Sequence, residues 1–163
     1  MITQELSEVL ALILAAGGPE RQLARVRWPL HLALREMQES SARRGERGLL
    51  GIELELRPSS EVGQEVVGAD RALQTVIQRG VLRSEGEQRL AWLVLDADAA
   101  VLLRRRLMRL SPAHVALLQR AGARWAALAS TAAKNRSTAS RSSQTTVSSG
   151  TPNRANPAAA EGA

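Results

Sequence analysis

The sequence predicts a mainly α-helical fold with a small β-hairpin or three-stranded sheet and further helices at both ends. Three observations carry this. Apolar residues recur every three to four positions over most of residues 1–133. Two stretches, 52–56 and 81–95, switch to strand-like patterning bounded by turn residues. The core must also be almost wholly aliphatic, because Phe, Tyr and Cys are absent and Trp28, Trp92 and Trp125 are the only aromatics.

Each element follows from its residues. Leu6, Val9, Leu10, Ile13 and Leu14 share one helix face, with Thr3 as N-cap and Gly17-Gly18-Pro19 as the stop. Leu30, Ala33, Leu34 and Met37 form a second stripe, with Pro29 in its first turn and its end near Gly45. The period then becomes two. Ile52, Leu54 and Leu56 alternate with Glu53, Glu55 and Arg57, which reads as a half-buried strand closed by Pro58. Ser59 and Ser60 are placed to cap a short helix through Val67, weakened by Gly63. After the turn residue Gly68, Ala69, Leu73, Val76 and Ile77 mark a helix over 69–79 that Gly80 ends. Residues 81–95 read as a hairpin with a charged tip, in which Trp92, Val94 and Leu95 hold β-prone positions. Asp96 caps a helix running to about Leu110, with Asp98 in its first turn. Ser111-Pro112 opens the last helix, to about Ala133.

These elements make one domain, 1–133, long enough to bury a core. Residues 134–163 are Ser, Thr, Ala, Asn, Pro and Gly with scattered bases and no apolar stripe, so a disordered basic tail is expected. With no cysteine there are no disulfides, no thiol catalysis and no Cys-ligated zinc. No signal-type segment is seen and the apolar run at 6–16 is too short to span a bilayer, so a cytoplasmic protein without membrane association is expected.

The order strand, short helix, turn, helix, hairpin, helix resembles the winged helix-turn-helix superfamily over residues 51–107. ALQTVIQRGVL (72–82) resembles a recognition helix running into a Gly-terminated strand, and SEGE (84–87) resembles a wing tip. RLAWLVLDADAAVLLRRRL (89–107) is similar to the return strand and following helix of MarR- or PadR-type regulators. The resemblance implies double-stranded DNA as the partner and transcriptional regulation as the role. It also implies a homodimer formed through the terminal helix, where Leu118, Ala121, Trp125 and Leu128 lie on an apolar stripe.

Charge agrees with an anionic partner. Residues 1–98 hold twelve bases and fifteen acids, whereas the remainder holds ten bases and only Glu161, giving the net +6. Arg71, Gln74, Thr75 and Gln78 share the polar side of the 69–79 helix, opposite Leu73, Val76 and Ile77. Arg suits guanine, Gln suits adenine and the Thr methyl suits thymine. Arg83 and Arg89 flank the wing as phosphate partners. Arg104, Arg105 and Arg109 add a basic helix, with Leu102, Leu103 and Leu107 on its core side. Glu65, Asp70, Glu85 and Glu87 would repel phosphate, which keeps open a second reading, a non-catalytic adaptor that binds a protein.

Enzyme chemistry finds no support. His31 and His114 are far apart in sequence, and GxSxG, P-loop and GxGxxG patterns are absent. Asp96 and Asp98 after an apolar strand resemble a magnesium site only loosely and read better as a cap and a first-turn acid. No metal or cofactor is expected.

Overall fold

The computed structural model describes residues 2–17, 23–46, 51–86 and 91–144. Helix α1 (Ile2–Ala16) occupies the centre: Leu6, Ser7 and every residue from Val9 to Ala15 are buried. The amphipathic stripe therefore understates it. Ala11, Leu12 and Ala15 extend the apolar surface around the helix, which must then be covered on every side. Helices α3 (Ala69–Gln78), α4 (Ala97–Leu107) and α5 (Pro112–Gln144) provide the cover, and α2 (Arg27–Arg43) packs on α5.

Strand β1 (Leu23–Ala24), β4 (Leu82–Glu85) and β5 (Trp92–Leu95) form an antiparallel sheet in the order β1-β5-β4. Leu23 pairs with Leu93 and Leu82 with Leu95, and these residues bury one face of the sheet in the core. The expected hairpin is present, but its third strand is not the 52–56 segment. Ile52 and Leu54 are buried as their alternation requires, yet Leu54 is held by a side chain instead of a strand. Gln38 Oε1 accepts from its N–H at 2.7 Å and Gln38 Nε2 donates to its carbonyl at 3.1 Å.

The short helix expected after Pro58 is instead a hairpin of β2 (Leu56–Ser59) and β3 (Gly63–Val66). Gly63, at φ +75°, supplies the left-handed turn conformation, and Arg57 lies directly opposite Glu65 and pairs with it across the strands. Ser59 does not cap a helix; its hydroxyl accepts from Glu61 N–H at 3.3 Å inside the hairpin turn.

Local stops behave as their residues dictate. Gly80 (φ +71°) ends α3, with its N–H on the Ile77 carbonyl and the Val81 N–H on that of Val76, a Schellman arrangement. Asp96 caps α4 by accepting from Ala99 N–H at 3.1 Å, and Ser111 accepts from His114 N–H at 3.3 Å at the start of α5. Thr3 lies inside α1 and so is not its N-cap; Gly18 and Pro19 lie outside the described residues. Helix α4 ends at Leu107, a few residues before Leu110. Its core side is Ala100, Leu103 and Leu107; Leu102, expected there, is 62% exposed.

Helix α5 runs 33 residues, through Lys134 to Gln144, so the first part of the expected tail is helical. Residues 134–139 are exposed on all sides, and Thr138 donates to the Lys134 carbonyl. Continuity with the packed turns carries the helix on without a new nucleus, although Ser, Thr and Asn are weak helix formers. Residues 145–163 lie outside the described residues. Among the described residues, no helix is long and apolar enough to cross a membrane.

Two predictions follow from this packing. A Cβ on Gly122 would sit 2.7 Å from the Ile13 carbonyl oxygen and 3.3 Å from Gly17 Cα, both backbone atoms that cannot swing away. Gly122→Ala should therefore lower the melting temperature, with overpacking of about 1–3 kcal/mol outweighing the roughly 1 kcal/mol that Ala gains over Gly in a helix. Thermal denaturation followed by circular dichroism checks this. Removal of residues 134–163 should leave the melting temperature unchanged while lowering the helical signal, because the extension touches no core.

Candidate nucleic-acid interface

Helix α3 gains its orientation from an inner face of small residues. Ala69 and Ala72 are fully buried with Val76, which lets the helix lie close on α1, while Leu73 and Ile77 are half-buried at the edges. The opposite face is therefore fixed toward solvent. Arg71, Gln74 and Gln78 are exposed there, and Thr75 is half-buried with its hydroxyl donating to the Arg71 carbonyl at 2.9 Å. Strand β4 begins just beyond the Gly80 turn and carries Arg83, also exposed.

Arg25 joins this face and was not anticipated. Its N–H donates to the Ala91 carbonyl at 2.8 Å, extending the β1–β5 ladder, and its guanidinium donates to Gln74 Oε1 at 3.3 Å. Arg79, at the end of α3, is exposed as well. The alternation Arg25-Val26-Arg27-Trp28 beside Leu23-Ala24 was the available signal, a period of two ahead of the second helix. Beneath Arg25 and Gln74 lies a pocket of about 290 Å³, lined by Leu30, Leu73, Leu93 and Trp125 and bordered by Arg27 and Asp70. The Trp125 indole N–H is buried without a hydrogen-bond partner among the described residues.

The acids beside α3 are paired with arginines. Arg27, at the first turn of α2, donates to Asp70 at 2.8 Å, to Glu65 at 2.8 Å, and to Glu61. Arg57 binds the other Glu65 oxygen. His31, buried in α2, accepts the Val66 N–H on Nδ1 at 2.9 Å, so the ring carries its hydrogen on Nε2, 3.3 Å from Asp70. The histidine is thus a structural tie between α2, β3 and α3. The Asp70 carboxylate, followed by Glu61, raises the Arg27 pKa further above its ordinary value. The Glu65 carboxyl is held below its ordinary 4.5 first by the Arg57 hydrogen bond and then by Arg27, against the opposing effect of burial.

The remaining expected site residues fall elsewhere. Arg104 and Arg105 are exposed on α4 and Arg109 just beyond it, while neighbouring Arg106 pairs with Glu8 of α1. Both α3 and α4 turn their buried faces to α1 and make no extensive contact with each other. Arg89 and Glu87 lie outside the described residues, and Glu85 is exposed at the end of β4. On α5, Leu118, Ala121 and Trp125 are buried within their own chain, and Leu128 is half-buried. The stripe expected to meet a partner is consumed by the domain's own core. Arg124 on the same helix clamps Glu36 of α2 at 2.8 and 3.0 Å, which raises the arginine's pKa.

Comparison with protein-family models, curated proteins and solved structures finds no match. Among the described residues, no group of three or more His, Asp or Glu side chains could hold a metal ion.

Because the folded Glu65 pKa is depressed, its ion pairs contribute stability above about pH 4.5 and lose it as pH falls through the lower folded value. Glu65→Gln should lower stability at neutral pH, because it takes the charge out of the hydrogen bonds to Arg57 and Arg27. The gap between variant and wild type should close as the pH falls below 4.5 and through the depressed folded value, as read from urea denaturation across pH.

Proposed function

We propose that this protein is a winged helix-turn-helix DNA-binding regulator that reads duplex DNA with α3 and acts as a homodimer. The observation that carries the reading is connectivity. The order α1, β1, α2, α3, β4, β5, with β1 pairing to the second strand of the terminal hairpin, is the arrangement that sets a recognition helix beside a wing. The polar side of α3 supports it, since Arg71, Gln74 and Gln78 stand exposed over an Ala-rich inner face. Arg25, Arg79 and Arg83 border that face and form no ion pair among the described residues, which suits them to phosphate. Arg27 and Arg57 occupy the acids nearby. In this reading α4 is not part of the DNA surface, and the hairpin β2–β3 lengthens the turn between α2 and α3.

A second reading, a winged-helix adaptor for a protein partner, draws on the apolar residues exposed on α4. The two separate in solution. Fluorescence anisotropy with genomic duplex fragments should show association at micromolar protein in about 50 mM salt, where even non-specific binders associate. Its absence would remove the DNA reading and favour the adaptor.

Within the DNA reading, Arg71→Ala and Gln74→Ala should each cost about 1–3 kcal/mol on the preferred sequence and relax the preference. Arg83→Ala should weaken all sequences alike and flatten the logarithmic salt slope by about 0.9, one phosphate contact. Titrations of the selected and a scrambled duplex over a salt series check both.

A further inference from the structure

Helix α4 carries a surface that the fold leaves uncovered. The large hydrophobic side chains exposed among the described residues are Leu56, Val101, Leu102 and Met108, and the last three lie on or at the end of α4 at 48%, 62% and 80% exposure. At about 100° per residue, Val101, Leu102, Arg105 and Met108 share one face with Asp98. Ala100, Leu103 and Leu107 turn the other way, into the core. Isolated exposed hydrophobics need no explanation, but three on one face mark a contact surface.

We propose that this face pairs with the same face of a second copy of the chain, helix against antiparallel helix about a two-fold axis. The partner is argued from charge. An isologous contact must be complementary to itself, so a residue offered by one copy must suit what the other copy places opposite. With the axis between Val101 and Leu102, these two residues meet their counterparts at the centre. Asp98, one turn N-terminal, then lies opposite Arg105 of the second copy, and the relation repeats on the other side of the axis. The antiparallel arrangement also sets the positive end of each helix dipole beside the negative end of the other. Met108, one turn further, reaches over the start of the partner helix.

The pairing rests on the dimeric half of the function proposed above and not on its DNA half. It moves the interface away from α5, whose Leu118, Ala121 and Trp125 are already buried. One helix face makes a small interface, so micromolar affinity is expected. The proposal predicts that DNA-free protein dimerises through α4 and that Arg105 is shielded from phosphate.

Sedimentation equilibrium of the full chain without DNA tests it, with circular dichroism confirming that each variant folds. Wild type should be dimeric at about 100 µM, above the micromolar affinity expected of so small an interface. Asp98→Arg and Arg105→Asp should each raise the dimer dissociation constant at least about tenfold, because like charges then face each other twice. Mixing the two variants should restore a dimer, since each copy then offers the charge the other lacks. The doubly substituted chain should dimerise as wild type does. Asp98 and Arg105 are seven positions apart, too far for a direct intrahelical pair, so rescue in the mixture reports an intermolecular contact. A wild type that stays monomeric overturns the dimer and the surface together. A wild-type dimer indifferent to both reversals, or a mixture that stays monomeric, overturns the α4 surface while leaving a dimer elsewhere intact.

Discussion

A helix that is apolar around its whole circumference has to be enclosed, and α1 imposes that requirement on the rest of the fold. Seven consecutive buried residues from Val9 to Ala15 leave it no solvent face along that stretch, so α3, α4 and α5 are each placed by the need to cover it. Only aliphatic side chains are available for most of this packing. Close approach must come from small residues instead of large rings. The contact of Gly122 with Gly17, and the use of Ala69 and Ala72 beneath α3, are the two places where this shows most clearly. The outward face of α3 follows from the same requirement, because a helix seated on Ala69, Ala72 and Val76 has Arg71, Gln74 and Gln78 on its far side.

The second determinant is ionic. Arg27 meets carboxylates from the β2–β3 hairpin and from the first turn of α3, and Glu65 in turn shares Arg57. Glu65 is the most deeply buried of these charged groups, and a buried charge is tolerated only when well paired. The network, with His31 beside it, fixes the start of α3 relative to α2 across the 25 residues that separate the two helices. An acidic cluster that looks hostile to an anion in the sequence is, in the fold, the cement that holds α3 in place.

The apolar surface of the chain is divided unequally between its last two helices. Helix α5 has the broader apolar face and buries it inside its own domain, against α1, α2 and β1. Helix α4 has the narrower one and keeps Val101, Leu102 and Met108 outside. Breadth of an apolar face thus says how much cover a helix needs and not who supplies it.

The sequence by itself determined what neighbouring residues can decide. Helices α1 to α5, the hairpin of β4 and β5 and the signals at Gly80, Asp96 and Ser111-Pro112 were all legible, because capping and periodicity act within a few positions. So was the polar face of α3, since Arg71, Gln74 and Gln78 recur at the helix period, about half a turn from the residues beneath them. Only the tertiary structure decided the rest. Strand β1 is two residues long and is a strand only because β5 lies beside it, which also brings Arg25 to Gln74. The segment after Pro58 folds as a hairpin in which Arg57 and Arg27 converge on Glu65, the latter from 38 residues away. Leu102 is outside and Trp125 inside for a reason no local pattern contains: α4 turns Ala100, Leu103 and Leu107 to the core, while Trp125 of α5 is enclosed beside Leu30, Leu73 and Leu93 from three other elements.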